Sequence, residues 1–109
     1  MNGSERSGTL EPLRWESPVE PSPAAVAERL RAEGVDPYSW SNAPGDRYAA
    51  HSHAYTKVLM CAAVSITFLV GEAEAAVELT AGEGFVLPAG TRHGAVVGPE
   101  GCTCLEGHR

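Results

Sequence analysis

The chain has 109 residues, room for one domain and one hydrophobic core. It is 43% apolar and 20% charged, a folded globular composition rather than a disordered or fibrous one, and no apolar run approaches the roughly 18 residues of a membrane-spanning helix. Fourteen acidic residues against eight basic ones give a net charge of −6 without any Lys/Arg cluster, which argues against nucleic acid and anionic membrane as partners.

The opening MNGSERSGTL lacks the basic start, apolar run and small-residue cleavage site of a secretory signal, so a cytoplasmic location is expected. Cys61, Cys102 and Cys104 are odd in number, and in that setting they are expected to be free thiols in the core rather than a disulfide framework. A thiolate ligand or redox switch is the alternative for them, since 102 and 104 share a strand face.

Residues 1–23 carry Pro12, Pro18, Pro21 and Pro23 among Ser, Glu and Arg, a composition that neither continues a helix nor joins a central strand. They read as an N-terminal arm. Its Leu10, Leu13 and Trp15 are too apolar for a solvated tail, so part of it is expected to lie across the domain or a neighbouring subunit, with disorder as the alternative. Ser22 and Pro23 then form a helix start, as N-cap and first helical residue. The short helix and its connection fill 24–37, with Val26, Ala27 and Leu30 on one face and Gly34 as the expected C-cap.

From residue 38 to 109 the pattern changes to short β-prone runs. Strands are expected at 38–42, 46–53, 56–62, 65–70, 75–79, 84–88, 93–98 and 102–108, with turns at 43–45, 71–74, 80–84 and 98–101. So many short strands without helices between them predict an all-β antiparallel sandwich or barrel.

His51 and His53 stand two apart in one of these runs, so strand alternation puts both on one face, where they can share a metal ion. The segment PAGTRHG supplies His93 from a separate strand. Three neutral imidazoles on a rigid sheet would leave positions open for water or substrate. The HxH pair alone is a weak signal, equally explained by exposed or hydrogen-bonded histidines.

The surrounding spacing is more specific. Gly45, five residues, His51, one residue, His53, three residues and position 57 follow the first motif of the cupin family. Gly82, five residues, Pro88, one residue, Gly90, two residues and His93 follow its second. Over residues 38–108 the chain resembles the small single-domain cupins. The resemblance implies a jelly-roll β-barrel with His51, His53 and His93 on one divalent metal, a small-molecule ligand and a homodimer. A barrel that keeps the fold without metal is the alternative.

Three positions depart from the family pattern. Lys57 stands where the usual glutamate ligand would be, Val64 replaces the glycine closing the first motif, and Val97 replaces the asparagine of the second. At best the site has three histidines, and imidazole does not distinguish Zn, Fe, Mn, Ni or Cu. Their neutrality leaves the ion's charge uncompensated, which favours an anionic ligand.

Lys57 is the only lysine, and alternation puts it on a face with Leu59 and Cys61, which the resemblance makes the barrel interior. Burial and a nearby dication both disfavour its ammonium, so it must titrate downward, turn away, or pair with a carboxylate, for which Glu106 is available. Lys57 and Glu106 are therefore the candidate catalytic pair, Lys57 as base, Schiff-base amine or fixed charge; a lysine snorkelling at the barrel mouth is the alternative. Tyr38, Trp40, Tyr48, Tyr55 and Phe68 are the aromatics expected at the barrel lining or mouth, and Arg92 is expected to face away from His93. His108 has the parity of Glu106, but as a terminal residue it is expected to fray. The whole suggests a metal-dependent enzyme of oxygenase or isomerase type acting on a small anionic molecule; a non-catalytic ligand-binding or sensing barrel is the alternative.

Overall fold

The computed structural model describes residues 10–109, so the part of the arm before Leu10 lies outside the described residues. Within them the arm does lie across the domain. Glu11–Leu13 forms a short strand, β1, paired antiparallel with Gly84–Leu87, β6, through Glu11↔Val86, Pro12↔Phe85 and Leu13↔Gly84. A proline fits there because β1 lies at the edge of the sheet, where a missing N–H costs no central ladder bond.

The helix α1 spans Pro23–Arg31. Ser22 caps it, its Oγ accepting the Ala25 N–H at 3.1 Å, and Pro23 fills the first helical position. Val26 and Leu30 are fully buried, each burial contributing about 1.5–3 kcal/mol. The C-cap is Ala32 rather than Gly34. The last turn tightens into i→i−3 bonds, Glu33 to Leu30 and Gly34 to Arg31, so the glycine leaves the helix direction (φ 87°) two residues beyond the cap.

The other strands are β2 (Tyr38–Asn42), β3 (Arg47–His51), β4 (Lys57–Val70), β5 (Ala75–Thr80) and β7 (His93–His108). All pairings are antiparallel. The order is β1-β6-β4-β7-β2, with β5 also on β4 and β3 also on β7, so β4 and β7 form the spine of a jelly-roll barrel. Among the described residues, no helix is long and apolar enough to cross a membrane.

Two pairs of expected strands are merged, and the run expected at 46–53 is a strand only over Arg47–His51. The runs 56–62 and 65–70 are one strand, and so are 93–98 and 102–108, because β4 and β7 stay paired from Lys57↔His108 to Val70↔His93. What read as breaks are register shifts, between Cys61 and Ala63 and between Val64 and Ile66, with GPEG accommodated on β7 between Val97 and Cys102. These shifts bend both strands, so that one half of each pairs with β6 or β2 and the other half with β5 or β3.

The shifts also change which parity faces inward. Leu59 and Cys61 belong to the barrel core before the irregularity, and Ile66, Phe68 and Val70 after it. On β7 the inward residues pass from Ala95 and Val97 to Cys102 and Cys104. Outside, α1 and β1 cover the opposite face of the sheet, where Val26, Leu30 and Leu13 pack with Val58, Met60 and Leu105.

Candidate functional site

His51 ends β3 and His93 begins β7, and the two are paired in the ladder. Their close approach depends on Gly94, where an added Cβ would sit 2.9 Å from the Tyr48 carbonyl oxygen. His53 lies beyond the end of β3, so strand alternation is not what aligns it with His51. The second motif does that work. Gly90, at φ 81°, donates its N–H to the His53 carbonyl at 2.7 Å and so ties the His53 segment to the turn that carries His93.

The three rings converge, with centroids 4.7 Å apart for His51 and His53, 4.4 Å for His51 and His93, and 5.3 Å for His53 and His93. One nitrogen from each lies within 4.8 Å of the others. Nδ1 of His51 is 2.8 Å from the Ala49 carbonyl and Nδ1 of His93 is 2.9 Å from that of Thr91. A carbonyl only accepts, so both Nδ1 atoms carry the proton and both Nε2 atoms present a lone pair. Nε2 of His53 and of His93 are buried without any hydrogen-bond partner.

Burial holds the pKa of His53 below the ordinary histidine value, assisted by the Lys57 charge and by His51. Burial likewise lowers that of His93, against the Thr91 hydrogen bond that favours its charged form. Two imidazoles with buried, unpartnered Nε2 atoms and a third ring nitrogen within 4.8 Å of them are the donor set of a divalent transition metal, and the three residues fit one.

Lys57 begins β4 beside this cluster and is 9% exposed. Its Nζ is 3.3 Å from Oε2 of Glu106, which is 3% exposed. Of the outcomes open to Lys57, the structure shows carboxylate pairing. Glu106 also accepts the Tyr38 hydroxyl on Oε2 at 2.6 Å and the Trp40 indole N–H on Oε1 at 2.8 Å. Burial pushes the Glu106 pKa upward, but the Tyr38 hydrogen bond, the Lys57 charge and the Trp40 hydrogen bond outweigh it, and the net shift is downward.

These groups line a cavity of about 320 Å³ whose remaining walls include Tyr48, Tyr55 and Phe68. A larger depression of about 770 Å³ between the arm and β5 and β6 contains none of the histidines. Arg92 is exposed, as expected, although it lies before β7 begins and not in strand alternation with His93. Cys61, Cys102 and Cys104 are buried free thiols of the barrel core, outside the histidine group.

Two features escaped the sequence. Tyr38 and Trp40 read only as lining aromatics, whereas both hydrogen-bond Glu106; β2 pairs with β7 in the register Tyr38↔Glu106, and no local pattern encodes that pairing. His108, expected to fray, is held in β7 and stacks on Tyr55 at 3.9 Å, with Tyr55 stacked in turn on His53 at 4.8 Å.

Neither a family model nor a curated protein matches the sequence. Solved structures do match in shape. An RmlC-like cupin from Shewanella frigidimarina aligns with 68% of this chain at 23% identity and a TM-score of 0.60. The fold is that of the cupins. The cupin domain of Drosophila melanogaster CENP-C aligns with 67% of this chain at 11% identity and a TM-score of 0.61, and the DMSP lyase DddQ from Ruegeria pomeroyi with 69% at 21% and 0.62. The aligned part spans 64%, 59% and 38% of those chains respectively, less than two thirds of each. At such identities the cupin likeness speaks for the barrel, and the site rests on this chain's own residues.

Proposed function

We propose that this cupin binds a divalent metal through His51, His53 and His93 and is a metal-dependent enzyme acting on a small anionic molecule held in the 320 Å³ cavity. The observation that carries this reading is the pair of buried, unpartnered Nε2 atoms on His53 and His93. Leaving such atoms unsatisfied costs roughly 1–3 kcal/mol each, and a shared ion removes that cost.

When bound, the ion supplies Lewis-acid polarisation of a ligand oxygen. The chain supplies the rest. The backbone carbonyls of Ala49 and Thr91 fix the tautomers of His51 and His93, so their Nε2 lone pairs stay directed inward. Lys57, held by Glu106, contributes ammonium N–H donors to the cavity wall. Trp40, Tyr48 and Phe68 supply aromatic surface to the cavity wall.

Elemental analysis of untagged protein, purified without added metal beside a His51→Ala, His53→Ala double variant, tests the metal centre. Near-stoichiometric transition metal that disappears in the variant is the expected result. No metal in either protein, even after reconstitution with each candidate ion, overturns the reading and leaves a metal-free ligand-binding barrel.

A further inference from the structure

Two kinds of unspent binding capacity belong to residues that line the same cavity. On one side are His53 and His93, whose buried Nε2 atoms have no hydrogen-bond partner. On the other is Lys57, whose ammonium has three donors and, among the described residues, one carboxylate partner at the long distance of 3.3 Å. Glu106 is held on both oxygens, by Tyr38 and Trp40, so it acts as an anchor that positions the ammonium. The remaining Lys57 protons can be met by an acceptor on a bound ligand.

We propose that the cavity is built for a small aromatic monocarboxylate, one carboxylate oxygen directed to the three-histidine centre, the other accepting from Lys57 Nζ, and the ring packed against Trp40, Tyr48 and Phe68. This deepens the reading above and rests on it. The charge inventory sets the class. Lys57 and Glu106 offset each other and the imidazoles are neutral, so a bound dication leaves an excess of positive charge that one anionic head relieves. A second anionic group would find no other lysine or arginine in the lining and would lie against ring faces, whose quadrupole is negative. A cationic ligand would meet both the ion and Lys57.

The test uses the full chain reconstituted with Co(II), whose visible absorption reports ligands entering the metal's surroundings without requiring turnover. Benzoate, acetate, phenylphosphonate and benzylamine are titrated into the wild type, the His51→Ala, His53→Ala variant and a Lys57→Met, Glu106→Gln variant. Charge is removed from both partners in the last, so no lone carboxylate is left buried. Benzoate is expected to perturb the wild-type spectrum and to bind at least about tenfold tighter than acetate, phenylphosphonate or benzylamine. The Lys57→Met, Glu106→Gln protein, measured at saturating Co(II), is expected to lose about tenfold or more in benzoate affinity.

A Co(II) spectrum that benzoate leaves unchanged, or equal benzoate and acetate affinities, overturns this inference while the metal reading stands. Unaltered benzoate affinity in the Lys57→Met, Glu106→Gln protein removes Lys57 from it. Absence of histidine-dependent Co(II) absorption overturns both.

Discussion

Lys57 on β4 and Glu106 on β7 form an ion pair, 3.3 Å from Nζ to Oε2, that is almost entirely shielded from water and borders the histidine cluster. Removing one member strands the other in a low-dielectric wall. Lys57→Met alone is therefore expected to lower unfolding free energy by about 3 kcal/mol, whereas Lys57→Met with Glu106→Gln, which keeps one acceptor oxygen for the Trp40 N–H and offers an amide N–H that the Tyr38 hydroxyl can accept, is expected to lie within about 1 kcal/mol of wild type. Urea denaturation of the three proteins at neutral pH measures both.

Stability should depend on acid through the same carboxylate. The folded pKa of Glu106 lies below its ordinary value of 4.5, so over the window between them the unfolded chain binds the proton more readily. The Glu106 contribution is thus fully present above the unfolded pKa and disappears as pH falls through the folded one. Denaturation midpoints between pH 6 and pH 3 should fall less steeply for Glu106→Gln than for wild type; parallel curves would show that Glu106 is not the linked group.

Val64 occupies the position of the missing motif glycine and adopts φ 62°, at the irregularity where β4 changes sheet. A β-branched side chain is strained in that left-handed region, and at 40% exposure this one returns little burial in compensation. Val64→Gly is expected to raise stability by about 1 kcal/mol, the relief of strain exceeding the greater backbone entropy of glycine. A lower denaturation midpoint than wild type would refute this.

Gly94 lets β3 and β7 approach closely enough for His51 and His93 to meet. In Gly94→Ala the new methyl group meets the Tyr48 carbonyl, and either β3 shifts or the site absorbs the strain. The variant is expected to lose about 1–3 kcal/mol of stability and to bind Co(II) more weakly than wild type. Equal Co(II) affinity in parallel titrations would show that the histidines tolerate the shift.

Much of this molecule was legible because local chemistry enforced it. Ser22-Pro23 can only start a helix cheaply, and Val26 with Leu30 can only share one face of it. The two motif spacings, each punctuated by glycines that the structure holds at positive φ, singled out three histidines whose ring nitrogens lie within 4.8 Å of one another. Parity from Lys57 through Leu59 to Cys61 gave the barrel interior, because alternation is strict until a bulge intervenes.

Beyond the bulge the sequence lost the thread. Val64 does not announce a left-handed residue as glycine would, so the joining of two apparent strands into β4 and the parity change to Ile66 and Phe68 were settled by pairing with β7. His53 joined His51 through a backbone hydrogen bond from Gly90, residues distant in sequence, rather than through strand alternation. The inward turn of Glu106 and its capture by Tyr38, Trp40 and Lys57 depend on three strands meeting in one register. Residue types and their local conformational preferences are short-range properties and could be read along the chain; which residues share a cavity could not, because strand register is fixed by contacts between segments far apart in the chain.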